Sequence, residues 1–374
     1  MKQKPSDTNP IKRVVIATFL YTNYGGLLQG FALKYYLCKF KNLAVYNLDF
    51  YTKSHYNDSR VFNLYGGLRS RIGQILFSLI RFRQLTRRNK KTASFKLNNF
   101  NLTRRYNTID DFRNNPPSAE IFLTGSDQVF NPNGLYKDVF YLNFKKQNFK
   151  KVAYAASFGG DSFSKEMSNW IKPVVNDFDS LSCREKTGSD FLTKTLGKNV
   201  KRVVDPVFLL NDEEWTNVSI SAKIKEKYIL IYALAAELDL VTIAKKIKKE
   251  TGYKIICVRY NTRNFLDVDK VYYGCSPFEV VGLFKNASHI ITDSFHGTAF
   301  SIIFDKAFNV FISRPEVSTR IYSLVDLVSL SKRIITIENI NNFVYVDSYK
   351  EIDRTKLDEM IIQSKNYLKE EIIE

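Results

Sequence analysis

Residues 290–301 constrain the fold of this chain more than any other stretch. An apolar run ends abruptly in polar residues, and a helical pattern resumes directly after Gly297. This pattern is typical of a buried strand, a tight turn and a helix amino terminus. We expect Ser294, His296 and free amides at Gly297 and the next two residues to form an anion site there. The alternative is that Asp293 or Ser294 merely caps the helix.

Short apolar runs alternate with helical patterns on both sides of a charged, weakly periodic segment, residues 210–227. Strands that alternate with helices imply parallel sheets covered on both faces, with ligands at the carboxyl ends of the strands. The sequence therefore predicts an α/β protein with two doubly wound, Rossmann-like domains facing a cleft. We place the domains at residues 1–215 and 216–345, with a charged helix over residues 346–374 that returns to the first domain.

The net charge of +18 is concentrated in a basic insertion, residues 51–115. No acidic residue lies between Asp58 and Asp110, and apolar residues recur at helical spacing through residues 69–88. A basic amphipathic helix suits an anionic membrane surface. A solvated basic face on an inserted helix pair is the alternative. Nucleic acid is not an expected partner, because no recognition motif accompanies the charge.

Several classes of protein are disfavoured by the sequence. No apolar run is long enough to cross a bilayer, and residues 1–10 lack the apolar core of a signal peptide. The four cysteines are scattered without a C-x-x-C pair, which indicates buried thiols in a reducing compartment. No histidines and carboxylates have metal-ligand spacing. We therefore expect a cytoplasmic protein without a metal site.

Other strand-end turns carry polar residues that could act on a ligand. Asp127 follows an apolar run and is a candidate general acid or base, or else a turn cap. Arg184 and Glu185 follow directly from another apolar run, where a guanidinium could bind a carboxylate or phosphate. An internal salt bridge is the alternative for that pair. Arg320, with Arg314, forms a second possible anion clamp.

Six motifs in this order resemble the polysaccharide pyruvyl transferase family. They are NYGG-x-x-Q at residues 23–29, GSDQV at 125–129, YAASFG at 154–159, S-x-R-E at 182–185, VDP at 204–206 and TDSFHG at 292–297. Phe130 stands where members often have tryptophan, so an aromatic residue is kept. The basic insertion falls outside the resemblance.

The resemblance implies a glycosyltransferase-B-like fold and a role in exopolysaccharide or capsule biosynthesis. The reaction it implies moves the pyruvyl group of phosphoenolpyruvate onto a sugar of a polysaccharide or lipid-linked oligosaccharide. The products are a pyruvate ketal and phosphate, and no cofactor is needed. A lipid-linked acceptor would also explain the basic insertion, through peripheral association with the inner face of a membrane.

The resemblance also implies roles for particular residues, with the acceptor on the first domain and the donor on the second. We expect His296, with Asp127 or Glu185, to move protons. The expected donor-binding residues are Arg184, Ser294, Gly297, Thr298 and Arg320. The expected acceptor-binding residues are Asn23, Tyr24, Gly25, Gln29 and Gln128.

Two alternative functions remain open from the sequence. One is a sugar-nucleotide-dependent glycosyltransferase of the same fold, which would place a diphosphate at the same helix start. The other is a non-catalytic member of the family that binds membranes or glycans.

Overall fold

The computed structural model describes residues 10–21, 23–51, 68–132, 134, 137–144, 148–259, 266–314, 318–345 and 352–374, without the side chains of 68–81 and 137. The first sheet has seven parallel strands in the order β3-β2-β1-β4-β5-β6-β7. These strands are β1 Lys12–Ala17, β2 Leu43–Phe50, β3 Leu102–Tyr106, β4 Ile121–Thr124, β5 Lys150–Ala156, β6 Ser180–Cys183 and β7 Lys201–Arg202. The helices of this part are α1 Tyr24–Leu37, α2 Leu68–Asn99, α3 Ile109–Asn114, α4 Lys137–Phe140, α5 Lys165–Val175, α6 Lys186–Leu196 and α7 Asp212–Val218.

The second sheet has six parallel strands in the order β10-β9-β8-β11-β12-β13. They are β8 Tyr228–Tyr232, β9 Lys254–Arg259, β10 Lys270–Tyr273, β11 His289–Thr292, β12 Ala307–Ile312 and β13 Ile334–Thr336. The helices are α8 Glu237–Thr251, α9 Pro277–Asn286, α10 Phe295–Ile303, α11 Thr319–Leu327 and α12 Thr355–Leu368. The prediction of two doubly wound α/β domains is confirmed. Strand order reverses between β1 and β4 and between β8 and β11, which are the points where such sheets bind ligands.

Central strands form because their apolar runs can be buried on both faces. Every residue of β4 and β8 is buried, as expected when helices cover both sides of a parallel sheet. Helix starts are fixed by capping: the side chain of Asn23 accepts from the amides at the start of α1, and the side chain of Ser294 does so at the start of α10. These two caps stand at the reversal points of their sheets.

The segment predicted as a linker contains a helix that joins the two domains. Helix α7 begins with a capping box between Asn211 and Glu214. Its Trp215 is fully buried, with ring centroids 5.9 Å from Phe31 of α1 and 5.0 Å from Phe300 of α10. The charge-rich composition of the segment concealed this helix, because a single tryptophan carries its burial.

Helix α12 packs on the first sheet after the chain has completed the second. Tyr367 Oη donates to the carbonyl of Ala153 in β5 at 2.9 Å, and the amide of Val204 donates to Ser364 Oγ at 2.9 Å. Lys150 pairs with Glu371 just beyond the helix. These contacts connect the end of the chain to the first domain.

Helix α2 covers part of the second sheet. In its later part Leu85, Arg88 and Phe95 are buried, so this face packs against protein. The left-handed Gly274 (φ 61°) lies beneath the backbone of α2, where an added Cβ would be 2.8 Å from the carbonyl oxygen of Gln84. The expectation that all of residues 69–88 could face a membrane is therefore wrong for Leu85 and Arg88. Within the described part of the chain, no helix is both long and apolar enough to span a membrane.

The cysteines depart in one place from the expectation of burial. Cys183, Cys257 and Cys275 are buried, but Cys38 is exposed at the end of α1. All four thiols are free. The exposed thiol lies just after the last apolar turn of its helix, where the sequence pattern gives no indication of which side faces solvent.

Gly297 fixes how closely α10 approaches β11, so we expect Gly297→Ala to destabilise the fold. An added Cβ would lie 2.1 Å from Thr292 Oγ1. That hydroxyl cannot swing away freely, since it donates to the carbonyl of Tyr232 at 2.7 Å. Overpacking of this kind costs about 1–3 kcal/mol. Urea denaturation should show this loss, whereas Gly160→Ala, with no atom within 4 Å of the added Cβ, should be nearly neutral. Equal stability of the two variants would contradict this account.

Candidate active site

A cleft of about 420 Å³ opens where the carboxyl ends of the two sheets face each other. Its walls come from both halves of the chain, which is the usual position of ligand sites in doubly wound folds. The polar residues that line it are Asn23, Asp127, Gln128, Asn131, Asp293, Ser294, His296, Ser313, Arg314, Ser318 and Arg320.

His296 crosses from the second domain into the wall of the first. It is the second residue of α10, and its imidazole lies against Gly25 at the start of α1. An added Cβ on Gly25 would be 2.2 Å from His296 Nδ1, so only glycine admits the ring there. The Nε2 atom has no hydrogen-bond partner in the structure, although the residue is only 8% exposed. A buried polar atom without a hydrogen-bond partner is unusual in a folded protein, and here it belongs to a residue that lines the cleft.

A buried network of charges lies behind the imidazole. Arg184 Nη1 donates to Asp205 Oδ2 at 2.6 Å, and Arg184 Nε donates to Glu185 Oε1 at 3.2 Å. The hydroxyls of Ser126 and Ser157 donate to Asp205 and Glu185, at 3.0 and 2.5 Å. All five residues are at most 5% exposed. The internal salt bridge that was the alternative for Arg184 and Glu185 is thus present. Together with the bond to Asp205, it occupies two of the guanidinium nitrogens.

The network shifts the pKa values of its members in opposite directions. Burial alone would raise the pKa of Asp205, but His296 and Arg184 hold it well below its usual value. His296 Nε2 is 3.7 Å from Asp205 Oδ2, which is too long for a hydrogen bond, so the contact with Arg184 is the stronger one. Burial opposes charge on Arg184, yet Glu185 and Asp205 raise its pKa. Both groups are therefore ionised, as a paired buried charge requires.

Asp127 stands at the edge of this network in a strained conformation. Its φ of 73° and ψ of −171° lie in a region that essentially only glycine adopts, at a cost of about 1–3 kcal/mol for other residues. Hydrogen bonds to its carbonyl from Val129 (2.7 Å) and Ser157 (3.0 Å) hold the backbone there. The carboxylate lines the cleft, with Oδ1 3.9 Å from Arg184 Nη2. Strain of this kind is found at functional sites.

Arg320 brings a guanidinium into the cleft, near that of Arg184. Burial first, and then repulsion from Arg184, lower its pKa. With the amide of Gln128 oriented so that its oxygen faces Arg320, that oxygen accepts from Nη2 and Nη1 at 3.1 and 3.3 Å. A cation that is buried beside another cation is stabilised by an anion, and the cleft has room for one.

The expected free amides at the start of α10 are not free. The amide of Thr298 donates to the carbonyl of Ser294 at 3.0 Å, and the hydroxyl of Thr298 donates to the same atom at 3.0 Å. Gly297 donates to Ser294 Oγ at 3.4 Å. The expectation that Gly297 and Thr298 present free donors to a ligand is therefore wrong, because the cap and the first helical turn use them. Ser294 itself lines the cleft.

Two expected acceptor residues are instead fully buried. Tyr24 Oη donates to the carbonyl of Cys275 at 3.1 Å, and Gln29 Nε2 donates to Thr18 Oγ1 at 2.8 Å. Both side chains are 0% exposed, so neither can contact a sugar in this structure. Asn23 and Gln128 do line the cleft, and Gly25 forms the seat of His296.

Several residues of the site received no role from the sequence. Asp205 lies inside the VDP motif, which was a usable signal, but its partners are distant in sequence. Asn131, Ser313 and Ser318 also line the cleft, without any motif that marks them. Asp293 accepts from the amides of residues 234–236 at 2.6 to 2.8 Å and thereby holds the loop after β8 at the rim.

Comparisons with known proteins agree with this architecture. The model of the family described as polysaccharide pyruvyl transferase matches residues 23–314. A search of curated proteins gave no match. Among solved structures, the chain is similar to UDP-N-acetylglucosamine 2-epimerase from Rickettsia bellii, with 12% identity, 96% coverage of each chain and a TM-score of 0.50.

Two further solved structures are similar at slightly lower scores. The UDP-GlcNAc 2-epimerase from Methanocaldococcus jannaschii is 12% identical over 95% of this chain and 99% of its own, with a TM-score of 0.48. Arabidopsis thaliana UGT89C1 is 10% identical over 96% of each chain, with a TM-score of 0.49. At such identities the likeness concerns the fold and says nothing about the reaction.

The burial and pairing of the Asp205 carboxylate lead us to predict how the unfolding free energy depends on pH. Asp205→Asn should lower the unfolding free energy at pH 7 by about 3 kcal/mol, because it leaves Arg184 without its closest partner. A depressed folded-state pKa contributes stability above the unfolded pKa, near 4, and loses it as the pH falls further. In urea titrations the gap between wild type and variant should therefore shrink below about pH 4. Asp111→Asn, at the exposed pair with Arg104, is the control and should change stability less. A gap that stays constant down to pH 2 would contradict the assignment.

Proposed function

Since the chain belongs to the polysaccharide pyruvyl transferase family, we propose that it transfers the pyruvyl group of phosphoenolpyruvate to a sugar. The acceptor in this proposal is a polysaccharide or a lipid-linked oligosaccharide of exopolysaccharide or capsule biosynthesis. The products are a cyclic pyruvate ketal and inorganic phosphate. The observation that carries the proposal is the meeting of His296, Arg320 and Asp127 in one cleft between the domains.

The charges of the cleft suit a small, highly anionic donor. Phosphoenolpyruvate carries a carboxylate and a phosphate, and planar guanidinium groups bind both. Arg320 and Arg314 line the cleft, and Ser294 adds a hydroxyl at its edge. Arg184 contributes one nitrogen without a hydrogen bond, Nη2, behind them. The donor would thus lie on the second domain, with its anionic groups toward Arg320.

Ketal formation requires a defined movement of protons. The methylene carbon of phosphoenolpyruvate takes up one proton and becomes a methyl group, which makes the adjacent carbon electrophilic. Two sugar hydroxyls then bond to that carbon, and the bond to the phosphate oxygen breaks. Each of the two hydroxyls loses a proton. One of these protons restores the group that protonated the methylene carbon, and the other leaves with phosphate. The site therefore needs one group that donates and one that accepts.

His296 is the group we assign to proton movement, because its Nε2 is unpaired and its neighbours fix the ring. Asp205 acts through His296 as a positioning residue, since its carboxylate lies 3.7 Å from Nε2. Asp127 is the second proton-moving group, at the cleft surface. Glu185 Oε1 accepts hydrogen bonds from both Ser157 and Arg184, so we assign Glu185 to holding that guanidinium.

The acceptor sugar would lie against the first domain. Asn23, Gln128 and Asn131 line that wall and offer amide groups to hydroxyls. If the acceptor is lipid-linked, the basic, apolar pattern of residues 69–81 would contact the anionic membrane surface. No cofactor other than the donor substrate enters this proposal.

The direct test is incubation with phosphoenolpyruvate and a panel of candidate glycans. Mass spectrometry should find a glycan with one added pyruvate ketal, together with one phosphate released per transfer. Calorimetry should find binding of phosphoenolpyruvate and no binding of sugar nucleotides. The opposite binding result would favour a sugar-nucleotide-dependent glycosyltransferase. Binding of glycans without phosphate release would favour a non-catalytic protein.

We expect His296→Ala to abolish transfer while the fold is retained. Gly25→Ala should cause a similar loss, because the added Cβ would displace the imidazole. Gly26→Ala is the matched control, since its added Cβ would find its nearest atom at 3.4 Å, an ordinary contact. Phosphate release and circular dichroism would be measured for all three. Normal turnover of folded His296→Ala would remove this residue from the mechanism.

We expect Arg320→Ala and Arg184→Ala to fail in different ways. Arg320→Ala should weaken phosphoenolpyruvate binding by about 2 kcal/mol, or roughly 30-fold, with the melting temperature little changed. Arg184→Ala should lower the melting temperature strongly, because it leaves Asp205 and Glu185 buried without their partner. Arg104→Ala, on the surface, should change neither property. Normal donor affinity in Arg320→Ala would exclude it from the donor site.

A further inference from the structure

A second groove, distinct from the cleft, lies between α2 and the edge strand β10. Its volume is about 980 Å³, and it shares none of its lining residues with the cleft. Its floor is β10, one wall is the exposed side of α2, and the other wall is the segment before β8. The lining side chains that matter here are Phe82, Arg83, Arg87, Lys90, Lys223 and Lys270.

The groove is strongly basic. One acidic residue, Glu279, lines it, and that carboxylate pairs with Lys91 at 2.6 Å. Among the residues that the structure describes, the other five cations, Arg83, Arg87, Lys90, Lys223 and Lys270, lie within 4 Å of no carboxylate. Like charges that converge on one concavity raise its positive potential and attract anions. The groove is therefore built for a ligand with several negative charges.

Aromatic side chains stand among these cations. Phe82 is 45% exposed on α2, and Tyr272 of β10 carries Lys270 Nζ 4.7 Å from its ring centroid. Aromatic rings give an apolar surface of defined orientation, against which the C–H faces of sugar rings can pack. Cations beside such rings suit a ligand that is anionic and built of rings with an apolar face. A concave groove also fits a chain better than it fits the plane of a membrane.

The groove lies next to the cleft, across the start of α1. Cys275 lines the groove, and its carbonyl accepts a hydrogen bond from Tyr24 Oη at 3.1 Å. The residue before Tyr24 is Asn23, which lines the cleft. The fully buried side chain of Tyr24 thus separates the two concavities, which lie on opposite sides of the amino terminus of α1.

We propose that this groove binds the anionic part of the acceptor glycan, a stretch of sugars bearing carboxylate or phosphate groups. The sugar that receives the pyruvyl group would occupy the cleft at the same time. The identification of the ligand as an acceptor rests on the proposed function, whereas the binding of anionic glycans by the groove does not. The groove thus selects long, charged acceptors over short, neutral ones.

The test compares two triple variants that remove the same charge. One is Arg83→Gln/Arg87→Gln/Lys90→Gln, on the exposed side of α2. The control is Lys165→Gln/Lys172→Gln/Lys194→Gln, three exposed lysines of α5 and α6 that line neither the groove nor the cleft. The probes are oligogalacturonate, maltohexaose and phosphorylated maltohexaose, which separate carboxylate, neutral and phosphate ligands.

The wild type and the control triple should bind at least one of the two charged glycans, and neither should bind maltohexaose. The groove triple should bind the charged glycan at least 10-fold more weakly, with its phosphoenolpyruvate affinity unchanged. Phe82→Leu should weaken glycan binding and leave binding of inorganic tripolyphosphate as it was. Wild type that binds glycans but not phosphoenolpyruvate would refute the proposed function and leave the groove assignment standing.

Three results would overturn the assignment of the groove. The first is equal weakening in both triples, which would mean that net charge alone drives binding. The second is tighter binding of a DNA oligonucleotide than of either charged glycan, with loss in the groove triple. The third is no glycan binding by the wild type together with binding to phosphatidylglycerol vesicles that the groove triple abolishes, which would make this face a membrane surface.

Discussion

The ion pair between Arg184 and Asp205 is the interaction on which the site and the joining of the domains depend. Asp205 lies in the turn after β7, and the same turn contacts three other parts of the chain. Val204 bonds to α12, Val207 accepts from the indole of Trp215 at 2.9 Å, and Asp205 faces His296 of the second domain. A buried carboxylate is tolerated in such a turn only if it is paired, and Arg184 supplies the pair. Loss of either partner would therefore disturb the first sheet, the bridging helix and the imidazole together.

Close approaches of backbone determine the shape of the cleft around this pair. Gly25 admits the imidazole of His296, and Gly297 lets α10 pack onto β11. Asp127 shows the converse, because a residue other than glycine holds a glycine-like conformation at the cleft. From this conformation its carboxylate lines the cleft. Two glycines, Gly25 and Gly297, thus allow close packing around the site, whereas Asp127 keeps its side chain in a strained backbone conformation.

The sequence predicted the fold because periodicity records burial directly. Runs such as β4 and β8 are apolar throughout, and the turns after them carry the residues of the cleft. Strand-end position correctly brought Asn23, Asp127, Ser294, His296 and Arg320 together, since the carboxyl ends of parallel strands share one edge. The position of a residue at a strand end did not predict that Tyr24 and Gln29 point into the core. A polar side chain at a helix start can be buried when a residue distant in sequence supplies its hydrogen-bond partner. The partners here are the carbonyl of Cys275 and the hydroxyl of Thr18, and no local sequence pattern predicts them.

Asp205 shows the same limit from the other direction. Its partners are Ser126, Arg184 and His296, all far from it in sequence, so the VDP motif marked the position without giving a role.

The balance of charge in the cleft connects donor binding to proton movement in the proposed reaction. Asp127, Glu185 and Asp205 lie around Arg184 and Arg320, so within this group three carboxylates face two guanidinium groups. An anionic donor adds further negative charge, which Arg314 at the rim offsets only in part. The imidazole of His296 lies between the buried pair and the cleft, because its Nε2 is 3.7 Å from Asp205 Oδ2 and the residue also lines the cleft. In the proposed reaction the proton for the methylene carbon is thus carried by a side chain whose position is set by Gly25 on one side and by the pair of Arg184 and Asp205 on the other.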